Sequence, residues 1–167
     1  DKTIRRAEAF LKGLQRDEDE GKKQSDLSYG GGGSGPHDLP DLCNTAFLIE
    51  ALGAWGNGPK SEAMKKALLF VTRCQKHESE YNTSPFAAKD PDGSFIYTCV
   101  AGGESKSGDL PDGGLRGYGS MTYAGLKSMI YAGVKKDDPR VKAAYTWIRK
   151  HYDLKRNPGL GTSGLFY

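Results

Sequence analysis

The feature that most constrains this chain is a stretch with almost no polar side. Asn44 to Trp55 (NTAFLIEALGAW) carries Ala46, Phe47, Leu48, Ile49, Ala51, Leu52 and Trp55, so a helix here is apolar on nearly every face. A helix apolar all round is buried all round, and the fold must therefore supply neighbours for it. Gly56, Asn57, Gly58 and Pro59 end the stretch, as a glycine-rich C-terminus followed by proline does. The next stretch, Lys60 to Gln75, has the opposite character. Met64, Ala67, Leu68 and Val71 fall at i, i+3, i+4 and i+7, with Glu62, Lys65, Lys66 and Arg73 elsewhere, the pattern of an amphipathic helix. One inner helix is followed by one outer helix.

The pair recurs. A gap-free slide of 77 residues sets Thr45 on Thr122, Leu52 on Met129, Gly56 on Gly133, Met64 on Val141, Ala67 on Ala144, Phe70 on Trp147 and Val71 on Ile148. Tyr118 to Val134 then reads as a second inner helix and Asp138 to Tyr152 as a second outer one. Lys2 to Gln15 repeats only the outer helix, with Ala7, Phe10, Leu11 and Leu14 on one face. Self-similarity at a fixed period marks a repeat architecture. Long loops separate the helices. Residues 16–40 run from a charged tract into Gly30 to Pro36 (GGGGSGP), which composition alone allows as an engineered linker; the flanking helices, belonging to one repeat, favour a natural loop. Residues 76–117 hold the turn Asp92-Gly93-Ser94 leading into the extended Phe95-Ile96-Tyr97, then a second Gly/Asp-rich stretch from Gly102 to Gly117. Residues 157–167 echo that turn with Gly164-Leu165-Phe166-Tyr167 and stop where another inner helix is expected. Residue 1 falls at the edge of a helical pattern, as expected of a cut or mature end.

The 167 residues suit one domain spanning 1–167. A net charge of +3 spread over outer-helix faces is a solvated surface rather than a nucleic-acid footprint. No apolar run approaches the ~20 residues of a membrane span. Cys43, Cys74 and Cys99 show no CxxC spacing, and their odd number argues against a full disulfide framework. Cys74 reads as a small core residue.

Two stretches share one pattern: basic, small, two free positions, aromatic, aliphatic, three free positions, Gln. They are Arg6 to Gln15 and Lys66 to Gln75; Ala143 to Tyr152 fits more loosely, with Tyr152 in place of Gln. This resembles the repeat of squalene–hopene cyclases and protein prenyltransferase β subunits, the prenyltransferase/squalene-oxidase-repeat proteins. In those families a Gly-x-Trp follows the Gln; here Gly93-Ser94-Phe95 stands in its place. The resemblance implies an all-α fold, an α/α toroid of helical hairpins of which this chain holds about two and a half repeats, with long Gly-rich loops. So short an arc leaves apolar faces uncovered, for the remainder of the toroid, a partner chain or self-association to cover.

The resemblance also locates the chemistry, at the start of an inner helix. Asp41-Leu42-Cys43-Asn44-Thr45-Ala46 resembles the Asp-x-Asp-Asp-Thr-Ala signature of cyclases that protonate an alkene or epoxide. Asp41 and Thr45-Ala46 match, but the proton-donating middle carboxylate is replaced by Cys43. A thiol near pKa ~8.5 is far too weak for that task. The stretch also resembles the Asp-x-Cys zinc pair of prenyltransferases, for which Asp41 and Cys43 are sensible ligands. The expected third ligand is missing: Tyr118-Gly119-Ser120-Met121 holds no histidine, and His37 lies in a loop. The bland alternative is that Asp41 or Asn44 caps the helix and Cys43 packs. Neither zinc nor another cofactor is therefore expected, and Asp41 and Cys43 are the catalytic candidates. In a cyclase, rings such as Tyr118, Tyr123, Phe47 and Trp55 line the cavity and bind an apolar ligand, cations by cation–π attraction; core packing is the other reading. Asp137 or Asp138 reads as an N-cap before Pro139, and His77 and His151 as residues suited to helix C-termini. Two functions follow. One is a binding or scaffolding module without cyclase chemistry; the other is an enzyme on an isoprenoid or related apolar substrate with catalytic groups partly outside this chain.

Overall fold

A computed structural model describes residues 2–161. The echo of the turn at Gly164-Leu165-Phe166-Tyr167 lies outside them. The described residues form six helices and no strand: α1 (Lys2–Lys12), α2 (Leu42–Ala54), α3 (Glu62–Arg73), the short α4 (Pro85–Ala88), α5 (Gly119–Tyr131) and α6 (Pro139–Lys150), with a 3-10 turn at Glu18–Glu20. No described helix is long and apolar enough to cross a membrane.

Local chemistry sets the helix starts. Asp41 caps α2, its Oδ1 accepting from the Asn44 N–H at 2.9 Å. Ser61 caps α3 through the Met64 N–H. Asp138 caps α6, accepting from the Arg140 N–H at 2.9 Å with Pro139 in the first turn. Each cap satisfies a helix N–H that has no partner inside the helix. α5 lacks a side-chain cap of its own; Asn157 Oδ1 reaches across from the C-terminal loop to accept from the Ser120 N–H at 2.9 Å.

The largest contact between helices joins α2 and α5, and α3 and α6 pack outside them. The core between these layers holds Ile49, Leu52, Met64, Phe70, Val71, Phe95, Met121 and Met129, all buried. Two expectations need correction. α2 is not buried all round: Phe47 is 64% exposed, because α1, α3 and α5 cover its other sides and no described element covers this one. α1 ends at Lys12 and buries no residue; Phe10, expected on its core face, is 65% exposed.

The long loops are held by the same bonds at two places. Gln15 and Gln75 are both buried just past an outer helix. Gln15 Nε2 donates to the carbonyls of Gly30 and Ala63, both at 3.0 Å. Gln75 Nε2 donates to those of Gly93 at 3.1 Å and Arg140 at 2.8 Å. The backbone pairs of Arg16 with Gly30 and Gly31 reappear between Lys76 and Gly93 and Ser94. The Gly32 N–H donates to Thr45 Oγ1, as the Phe95 N–H does to Thr122 Oγ1. Both threonine hydroxyls donate to a carbonyl four residues back, Asp41 and Tyr118. Only glycine fits the first loop position. Gly30 and Gly93 have φ of +85° and +81°, and a Cβ would lie 1.8 Å from the Lys66 oxygen or 2.7 Å from the Ala143 oxygen. The GGGGSG stretch is thus packed structure: Gly30 to Gly33 are buried.

Candidate functional site

The starts of α2 and α5 lie beside the extended segment 95–98. The Leu42 N–H donates to the Tyr97 carbonyl at 2.8 Å, and the Tyr118 N–H to that of Phe95 at 3.3 Å. These two bonds bring Asp41, Cys43, Tyr97 and Tyr118 into one cluster. Asp41 is 5% and Tyr118 3% exposed, while Cys43 and Tyr97 are half-buried.

Asp41 is heavily committed. Its Oδ1 holds the Asn44 N–H, and its Oδ2 accepts from Asn44 Nδ2 at 2.7 Å. The Tyr97 hydroxyl also hydrogen-bonds to this carboxylate. Burial pushes the Tyr97 hydroxyl up to about 12, reinforced by the negative charge of Asp41 and by that bond. Burial likewise raises Tyr118, with Tyr97 and Cys43 adding to it. The Cys43 thiol is raised first by burial and then by Asp41. A low-dielectric site next to a carboxylate opposes a second negative charge, so each of these groups keeps its proton at neutral pH. Apart from Asp41, whose oxygens are engaged by Asn44 and Tyr97, the cluster contains only weak acids. It offers hydrogen-bond donors, not a group able to protonate an alkene. Both Asp41 oxygens accept hydrogen bonds from Asn44, so a metal on Asp41 and Cys43 has to displace them. Among the described residues no three His, Cys, Asp or Glu side chains converge as a metal site.

The aromatic candidates are divided. Phe47 and Tyr123 face each other across a cleft of about 220 Å³ between α2 and α5, whose lining includes Cys43, Ala46 and Met121. An ion pair of Lys127 with Glu50, at 2.5 Å, borders the same cleft. Tyr118 is in the core and Trp55 is the C-cap of α2; neither lines this cleft. His37 is exposed. His151 caps α6, its Nδ1 2.9 Å from the Trp147 carbonyl oxygen.

Sequence reasoning missed Tyr97 as a member of the cluster. Its signal was available, because the Asp92-Gly93 turn launches an extended segment that must lie against something. Sequence reasoning also missed a second, larger cleft of about 840 Å³ that shares no lining residue with the first. Loop residues such as Asn82, Phe86 and Leu115 form it, with Arg73 and Cys99 in its wall. Arg73, placed by periodicity on the polar side of α3, is 7% exposed and donates to the carbonyls of Gln24, Asp26 and Tyr81. Burial lowers its pKa. No protein-family model, curated protein or solved structure matches this chain.

Proposed function

We propose that the chain is an arc of an α/α toroid that binds an apolar molecule, a module like those of terpene cyclases and prenyltransferases without the cyclase acid. The observation that carries the reading is Phe47: a ring 64% exposed on the most apolar helix of the chain, at the edge of the α2–α5 cleft. Tyr123, Ala46 and Met121 extend that apolar wall. The recurring outer-helix bonds of Gln15 and Gln75 support a repeated hairpin unit. Uncovered apolar surface on α1 and α2 supports a larger assembly, supplied by the remainder of a toroid, a partner chain or self-association.

Titration with geraniol, followed by intrinsic tryptophan fluorescence, tests binding. Phe47→Ser is expected to weaken it about tenfold, the value of one apolar ring removed from a contact. Unchanged binding by Phe47→Ser refutes the assignment of the cleft. A second reading is an enzyme on an isoprenoid or other apolar substrate, with groups partly outside this chain. It is favoured by the convergence of Asp41, Cys43, Tyr97 and Tyr118 near the cleft. Chromatography after incubation with a prenyl diphosphate separates the two: unaltered substrate fits the binding module, a cyclised or transferred product fits the enzyme.

A further inference from the structure

Cys74 and Cys99 lie 25 residues apart with no motif spacing, in a chain whose odd number of cysteines argues against a full disulfide framework. The fold brings them together. Cys74 is the C-cap of α3, and its carbonyl accepts from the Ile96 N–H at 3.0 Å. That bond sets segment 95–99 beside the helix end, and the Cys74 thiol hydrogen-bonds to that of Cys99. Both are free thiols, fully or almost fully buried, while Cys43 lies half-buried at the other site. The Cys99 sulfur also reaches the Leu27 carbonyl at 3.4 Å and forms part of the wall of the 840 Å³ cleft, with the Arg73 guanidinium beside it.

We infer that Cys74 and Cys99 are a disulfide-forming pair, oxidised through the large cleft by a small-molecule disulfide. Cys99 is the attacking sulfur, because it borders the cleft and Cys74 does not. It loses its proton and attacks one sulfur of a disulfide such as oxidised glutathione. One thiol leaves, and a mixed disulfide remains on Cys99. Cys74, already in contact, then loses its proton and attacks the Cys99 sulfur, expelling the second thiol. Two protein thiols are oxidised and one external disulfide is reduced to two thiols. The bond closes the loop of residues 75–98 onto α3 and ties the floor of the cleft to the helix that carries Arg73. Cys43 takes no part.

The test uses the full chain, fully reduced and then incubated with oxidised glutathione. Intact mass is expected to fall by two hydrogens, and peptide mapping to give one cross-linked species joining Cys74 and Cys99, with Cys43 alkylatable. The melting temperature of the oxidised form is expected to rise by about 10 °C, the effect of closing a loop of this length in a chain of this size. Cys43→Ser is expected to cross-link as the native chain does. Three results overturn the inference: a stable glutathione adduct on Cys99 without ring closure, a cross-link that includes Cys43, or both core thiols left unreacted. Mapping on the native chain alone decides the matter if Cys43→Ser does not fold.

Discussion

Phe95 and Gly125 give the most demanding prediction. Phe95 is fully buried, and its ring fills the space that a side chain at position 125 would take: a Cβ on Gly125 would lie 2.4 Å from Phe95 Cδ1. At the matching place beside α2 the sizes are exchanged. Gly32 makes the bond that Phe95 makes, and Leu48 stands 77 residues before Gly125, with 3.5 Å between its Cδ2 and a Cβ built on Gly32. Phe95→Ala alone is expected to cost about 3–5 kcal/mol, as a large ring leaves a closed core. Gly125→Leu alone drives a side chain into that ring and is expected to cost about 3 kcal/mol. The double variant matches the Gly32–Leu48 arrangement with alanine in place of the glycine, a methyl group that ordinary contact there accommodates, and a residual loss of about 1–2 kcal/mol is expected, since overall volume is nearly conserved. The coupling energy is then on the order of 5 kcal/mol in favour of the pair, large for two neighbouring residues. Urea unfolding followed by far-UV circular dichroism measures all four proteins. Each is run with the same concentration of sulfate, because a domain has only ~5–15 kcal/mol to lose. Losses that add within about 0.5 kcal/mol would refute the claim that these positions share one space.

Four further outcomes are expected. Gly93→Ala loses at least ~3 kcal/mol by chemical denaturation, combining positive φ with a backbone collision, whereas Gly21→Ala, at φ +69° with open space around it, loses about 1 kcal/mol. Asp41→Ala lowers stability by about 1–2 kcal/mol through the lost cap, and Asp41→Asn by less, as denaturation midpoints will show. Burial pushes the Tyr97 hydroxyl from its ordinary 10.0 up to about 12, so folding favours its protonated form. Its stabilising contribution is complete below the unfolded value and lost as pH rises towards 12. A spectrophotometric alkaline titration should therefore show tyrosines released only with unfolding, and Tyr97→Phe should reduce that late component by one, leaving the buried Tyr118 in it. Phe47→Ser leaves the melting temperature nearly unchanged, because the ring is already 64% exposed.

The helices were legible because their signals are local. The i, i+3, i+4 spacing of Met64, Ala67, Leu68 and Val71 found α3, and Asp138 before Pro139 found the start of α6. Asp41 was legible as a cap for the same reason. What escaped depends on parts of the chain far apart. Arg73 looks solvent-facing on a helical wheel, yet residues 24–26 and 81 fold over it. Gln15 and Gln75 stand out in the sequence, but their partners at Ala63 and Arg140 lie 48 and 65 residues away. Phe47 failed in the other direction: composition asked for burial that the described neighbours do not provide. At the candidate site Asp41 and Cys43 were visible, and Tyr118 was assigned to the ligand. The cluster with Tyr97 exists only once segment 95–98 lies against the start of α2.

The most direct test of apolar binding between α2 and α5 is a two-dimensional NMR titration of the isotopically labelled chain with geraniol. Shift changes concentrated at Ala46, Phe47, Met121 and Tyr123, with the alcohol recovered unaltered, are the expected result. Shifts confined to the larger cleft around Phe86 and Cys99, or no shifts near saturation of the alcohol, would contradict it.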